Sequence, residues 1–231
     1  MRTLSILCFV SVFLFAACKQ RDAERTSRNI NPDQVFFDYQ VSGSQESENV
    51  AVMLQFRIKG IQGPTLLLEA PSEVKIDGLP IPVDSTRMTG PYYEIIFRAA
   101  GFEGPHTIEY ISSDSTKFTE DFEYLPMVIN GLPDSIISSA KDLVLDIDGL
   151  DSVDYVRIVL TDTSRYNEGI NRLDTIRDRR LIITRDDLQQ LSPGPLQLLL
   201  TREYERPVKN GSKRGGRIAI NYEIRKELYL E

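Results

Sequence analysis

Residues 217–231 read RIAINYEIRKELYLE. Ile218, Ile220, Tyr222, Ile224, Leu228 and Leu230 share one parity, which only Lys226 interrupts. The other parity carries Arg217, Asn221, Glu223, Arg225, Glu227 and Glu231. Successive side chains of a strand point to opposite faces, so this alternation describes a strand with one buried and one wet face. The stretch Val50–Ile58 repeats the rule, with Val50, Val52, Leu54, Phe56 and Ile58 on the apolar side. Shorter runs follow at 35–41, 93–97, 107–111, 118–124, 143–147 and 156–160, and Leu196–Leu200 is apolar at four of five positions. Asp77-Gly78, Gly90-Pro91, Gly104-Pro105, Gly194-Pro195 and Asn210-Gly211 supply turn chemistry between them. Only residues 186–191 invite a helical turn. Many short strands punctuated by turns predict an all-β, antiparallel sandwich architecture.

The chain has 231 residues, 41% hydrophobic and 26% charged, with a formal charge of −7. That apolar content suits a folded body, and the acidic balance argues against nucleic acid as a partner. The segment LPMVINGLP, residues 125–133, interrupts the alternation. Ile30-Asn31-Pro32-Asp33 and Ile129-Asn130 with Pro133-Asp134 open two stretches of about 100 residues in similar fashion. The expected division is a β-sandwich over 32–127 and a second over 128–231. Their size resembles that of immunoglobulin-like domains, without the cysteines and tryptophan of antibody domains. Units of this size bury enough surface to fold without covalent staples.

Residues 1–18, MRTLSILCFVSVFLFAAC, place Arg2 before an apolar run from Leu4 to Ala17. As a helix that run would measure roughly 21 Å, short of a hydrocarbon core of roughly 30 Å, and it has the layout of a secretory signal. The ending Leu14-Phe15-Ala16-Ala17-Cys18 resembles the lipobox of bacterial lipoproteins, in the manner of small Bacteroidota lipoproteins. The resemblance implies removal of residues 1–17 and acylation of Cys18, with palmitate-like chains holding the protein to the lipid bilayer. Two or more acyl chains give a firm anchor. Lys19 stands where an Asp would, by the family's sorting rule, retain the protein at the inner membrane, so the resemblance implies the outer membrane. Residues 18–31 then form the lipidated N-terminus and a tether. Within 19–29 there are four basic and two acidic side chains, which cannot repay their ordering entropy. From Ile30 onward 22 basic face 32 acidic residues. With Cys8 removed and Cys18 acylated, no thiol remains for disulfide, thiolate or metal chemistry.

The sequence offers few chemical sites. His106 is the single histidine, shares parity with Ile108 and Tyr110, and reads as an inward or rim residue rather than a zinc ligand. Residues 146–154, DIDGLDSVD, gather Asp146, Asp148, Asp151 and Asp154 around Gly149. The spacing departs from an EF-hand loop, so these carboxylates read as a solvated turn between two strands, with a calcium site as the lesser reading. Lys209, Lys213, Arg214 and Arg217 surround a hairpin tip on an acidic body, either as a contact loop for anions or as a solvated edge guard. Tyr92 and Tyr229 face outward but make no platform for sugar rings. No phosphate-binding glycine loop is present and no carboxylate pair stands out. The expectation is a lipid-anchored, non-catalytic lipoprotein of the bacterial envelope. It would serve as an interaction or structural module, take no cofactor, and have other envelope proteins as partners. The competing class is a glycan- or calcium-binding surface lipoprotein.

Overall fold

The computed structural model describes residues 25–131, 135–151, 153–162 and 169–231. Cys8 and Cys18, on which the signal-peptide and lipidation readings rest, lie outside them. The described residues contain fourteen main strands. β1 (Val35–Ser44) and β2 (Asn49–Ile58) form a hairpin, then come β3 (Glu73–Ile76), β4 (Val83–Thr86), β5 (Gly90–Arg98), β6 (Gly104–Ile111) and β7 (Lys117–Tyr124). The second half contains β8 (Val128–Asn130), β9 (Leu143–Asp148), β10 (Val153–Asp162), β11 (Ile170–Arg177) and β12 (Arg180–Ile183). It closes with a hairpin of unusual length, β13 (Gly194–Ser212) and β14 (Gly215–Leu230). The single α-helical turn, α1 (Arg185–Leu188), starts at a capping box in which Thr184 and Asp187 exchange bonds. Among the described residues no helix is long and apolar enough to cross a membrane.

The protein is a nearly all-β sandwich structure. One large sheet runs β8-β9-β12-β11-β10-β13-β14-β1-β2-β5-β4, with Ile136–Ile137 also paired to β14. A smaller sheet, β7-β6-β3 plus Leu79–Pro80, covers the first half. Between them Phe37 and Phe56 meet Tyr110 at 5.6 and 4.7 Å between ring centres, and Phe118 lies 5.3 Å from Phe37. In the second half β11 and β12 pair only at Arg177↔Arg180, so the sheet turns over there into a second layer. Leu145, Ile147, Leu181 and Ile183 then share a core with Ile158, Leu160, Leu198 and Leu200.

Two findings depart from the sequence reading. The pairing is not antiparallel throughout: β14 runs parallel to β1 over eight residue pairs, from Gly216↔Phe37 to Glu223↔Ser44. The residues before and after 127/128 also share structure. The base of the β13–β14 hairpin pairs with β10, whereas its outer part pairs with β1 of the first half. Buried residues of both halves accordingly form one continuous cluster. Sequence alternation identified β1, β2, β5, β6, β7, β9, β10, β14 and the start of β13, missed β3, β4, β8, β11 and β12, and carried no information about a partner some 180 positions away.

A chain unfolding as one body is the expected consequence, because one hairpin pairs with β10 through residues 196–202 and with β1 through residues 216–223. In denaturant titration, intrinsic fluorescence and far-UV circular dichroism should give coincident single transitions. Residues 32–127 produced alone lack the strand beside β1 and should show no cooperative transition.

Candidate functional site

Three arginines of the hairpin, Arg202, Arg206 and Arg217, each answer a buried carboxylate on a different strand. Arg217 on β14 stands in register with Asp38 on β1, and its Nε donates to Asp38 at 2.8 Å. Arg206 on β13 donates to Glu120 on β7 at 2.5 Å and to the Asp121 carbonyl at 2.8 Å. Arg202 on β13 lies 2.7 Å from Asp154 on β10 and donates to the Gly149 carbonyl at 3.1 Å. Asp38, Glu120 and Asp154 are each no more than 3% exposed. A buried carboxylate without a counter-charge would be strongly unfavourable, so these pairings dictate where the hairpin must sit. The hydrogen bond to Asp38 raises the Arg217 pKa above its ordinary value.

Arg202 and Arg206 also line a cavity of about 500 Å³ between the hairpin and the small sheet. Asp121, Tyr204, Lys209 and His106 complete its polar wall, and Phe122 and Ile220 its apolar one. The His106 ring stacks on Phe102 with centroids 3.9 Å apart. Its Nδ1 lies 2.7 Å from Asp77 and its Nε2 2.7 Å from the Phe102 carbonyl. A carbonyl only accepts, so Nε2 bears a hydrogen, and both nitrogens are occupied by structural contacts. The side chain is only 9% exposed, the inward one of the two placements that its parity with Ile108 and Tyr110 allowed. Burial pushes the phenols of Tyr93 and Tyr110 up to about 12. Neither is poised for proton transfer near neutral pH.

The acidic segment 146–154 is divided rather than convergent. Asp146 and Asp148 face Arg179 at 3.5 and 2.6 Å, and Asp148 also accepts from the Asn130 amide at 2.6 Å. Asp151 and Asp154 both face Arg202. Asp146, Asp148 and Asp151 keep side chains 54%, 44% and 60% exposed, as a solvated turn would, and only Asp154 departs from that reading: it is buried, and the segment links two layers because β9 pairs with β8 and β12 while β10 pairs with β11 and β13. Among the described residues no group of three or more His, Cys, Asp or Glu is arranged to hold a metal ion.

The basic hairpin residues are likewise separated. Lys213 and Arg214 occupy the tip, with Lys213 paired to Asp33 at 2.5 Å. Lys209 faces the cavity, and Arg217 packs between Asp38 and Glu205. Tyr229 is exposed beside Ile136, and the Tyr92 hydroxyl donates to Asp84 at 3.0 Å. Sequence reasoning missed Arg202, Arg206 and Glu120. The signal was present as charges of opposite sign at positions whose parity is otherwise apolar.

No family model matches this chain, and no curated protein matches it. Among solved structures it is similar to DIP-gamma IG1+IG2, at 10% identity over 81% of this chain and 97% of that one, with a TM-score of 0.22. It is also similar to a 1.5-MDa bacterial ice-binding adhesin, at 8% identity over 87% of this chain and 66% of that one, with a TM-score of 0.26. Murine CEACAM1b matches at 9% identity over 84% and 98%, with a TM-score of 0.20. Similarity at this level carries no functional inference.

Replacing Arg202 by Met strands a buried carboxylate and should cost about 3–5 kcal/mol in urea titration. The Asp154→Leu/Arg202→Met double variant removes both charges and should regain most of that loss. Additive losses would contradict a direct pair.

Proposed function

We propose that this chain is a lipid-anchored, non-catalytic lipoprotein of the bacterial envelope, held by acyl chains on Cys18. Its immunoglobulin-like sandwiches act as an interaction or structural module at the outer membrane. The observation that carries the non-catalytic reading is how Arg202, Arg206 and His106 are held beside the cavity. Arg202 is bound to Asp154, Asp151 and a carbonyl, Arg206 to Glu120 and two carbonyls, and His106 to Asp77 and a carbonyl. A general acid or base needs a face turned toward substrate, and these groups turn toward one another. Their bonds serve instead to fix the hairpin against both halves, which suits a module whose task is to present surfaces in a set geometry.

The anchor reading is supported by the lipobox-like residues 14–18 behind an apolar run too short to span a bilayer. A tether of that kind concentrates the body near other envelope proteins, its proposed partners. Cells fed an alkyne analogue of palmitate should label the wild type and leave Cys18→Ser unlabelled, with the variant lost from the membrane fraction. Equal labelling of both would overturn the anchor. In-cell crosslinking of the labelled protein should recover a protein partner.

A further inference from the structure

Several separated basic residues come together at the N-terminal pole of the first sandwich. The described chain starts there: Arg25–Thr26 pairs with Leu66–Leu67. The segment 59–64 is held to this pole by the Arg57↔Thr65 bridge and by the Ile58 amide donating to Pro64 at 3.0 Å. The β4–β5 turn reaches it through the Thr86↔Gly90 pair, and the Gln55 amide donates to the Thr89 carbonyl at 3.3 Å. From the other side comes the tip of the β13–β14 hairpin, where the Ser212 hydroxyl donates to the Val35 carbonyl at 2.5 Å and Lys213 meets Asp33.

Arg25, Lys59, Arg87, Lys213 and Arg214 are exposed at this pole. Among the described residues, only Lys213 of these five has a carboxylate within ion-pair distance. Next to Arg87 the Met88 side chain is 96% exposed, the most exposed large hydrophobic residue described. The chain from Ile30 onward carries 22 basic and 32 acidic residues, so a cationic pole opposes the general sign of the body. Unpaired cations around one protruding apolar side chain have the composition of a surface that settles on anionic headgroups.

We infer that this pole docks on a membrane bearing anionic lipids. Arg25, Lys59, Arg87 and Arg214 lie against phosphate oxygens, and Met88 enters the headgroup–acyl boundary. The inference rests on the anchor reading above, which supplies the occupant by reach. Seven residue steps separate Cys18 from Arg25 and span at most about 25 Å, so an acylated Cys18 keeps the pole carrying Arg25 beside the bilayer. Each basic residue near an anionic surface improves partitioning roughly fivefold, so four act together even when each contact is weak.

The test uses the full chain in a bacterial cell, with a diazirine amino acid at position 88 or, as a distant control, at position 186. The same cells receive the palmitate analogue. Position 88 should form lipid adducts at least tenfold more often than position 186. The variant Arg25→Glu/Arg87→Glu/Arg214→Glu should lower that yield several-fold while keeping the circular dichroism of the wild type. Palmitate labelling with equal lipid adducts at 88 and 186 would overturn the docking pole and leave the anchor standing. Adducts from 88 to a protein rather than lipid would overturn it as well. Lipid adducts at 88 without palmitate labelling would support the pole while removing the anchor, and absence of both would remove both.

Discussion

Three carboxylates sit in the interior with almost no contact with water, and the same hairpin provides an arginine for each. Burying a carboxylate is costly unless it is paired and hydrogen-bonded, so Asp38, Glu120 and Asp154 act as demands that only one arrangement meets. Arg217, Arg206 and Arg202 meet them from neighbouring turns of one β-ribbon. The apolar core would tolerate many packings of alternating strands. The charges make a register slip intolerable, because moving the hairpin by one residue would turn all three arginines away from their partners.

The same constraint explains how the two halves relate. Strands on either side of residue 127 each have an apolar face, yet the sheet that joins them runs through β13 and β14. Glu120 on β7 completes the first half only when Arg206 arrives from the end of the chain, and the Lys209 amide adds a bond to the same carboxylate at 2.6 Å. The cavity beside these groups is thus a by-product of ionic closure. The small sheet approaches the hairpin at β7 through side chains instead of a backbone ladder, and space is left where a further strand would have packed.

The longer apolar strands were legible in the sequence because alternation is a local property, whereas the short β3, β4, β8 and β12 and the charge-rich β11 were not. β14 was visible from Ile218 to Leu230, and the helical turn near residue 186 appeared where residues 186–191 suggested. The parallel join of β14 to β1 was not legible, since a strand's pattern shows which face is buried and not which edge is covered. The burial of Asp154 was not legible for a related reason: its counter-ion Arg202 lies far along the chain, on β13. Arg202 and Arg206 were legible in principle. A charge at an inward parity is either an error in the strand assignment or half of a pair. Two such arginines on one strand pointed to carboxylates waiting elsewhere at inward positions.

The length of β13 has a mechanical consequence. Nineteen residues at about 3.3 Å each make a ribbon roughly 60 Å long, with one end held at Asp33 and Val35 and the other at Gly194 and Leu230. A pull applied between these ends runs along the strands. The β1–β14 ladder then resists in shear, with its hydrogen bonds sharing the load, whereas a perpendicular pull would open them one at a time. A body built in this way would transmit tension along its long axis as a stiff rod, with no hinge between its halves to yield first.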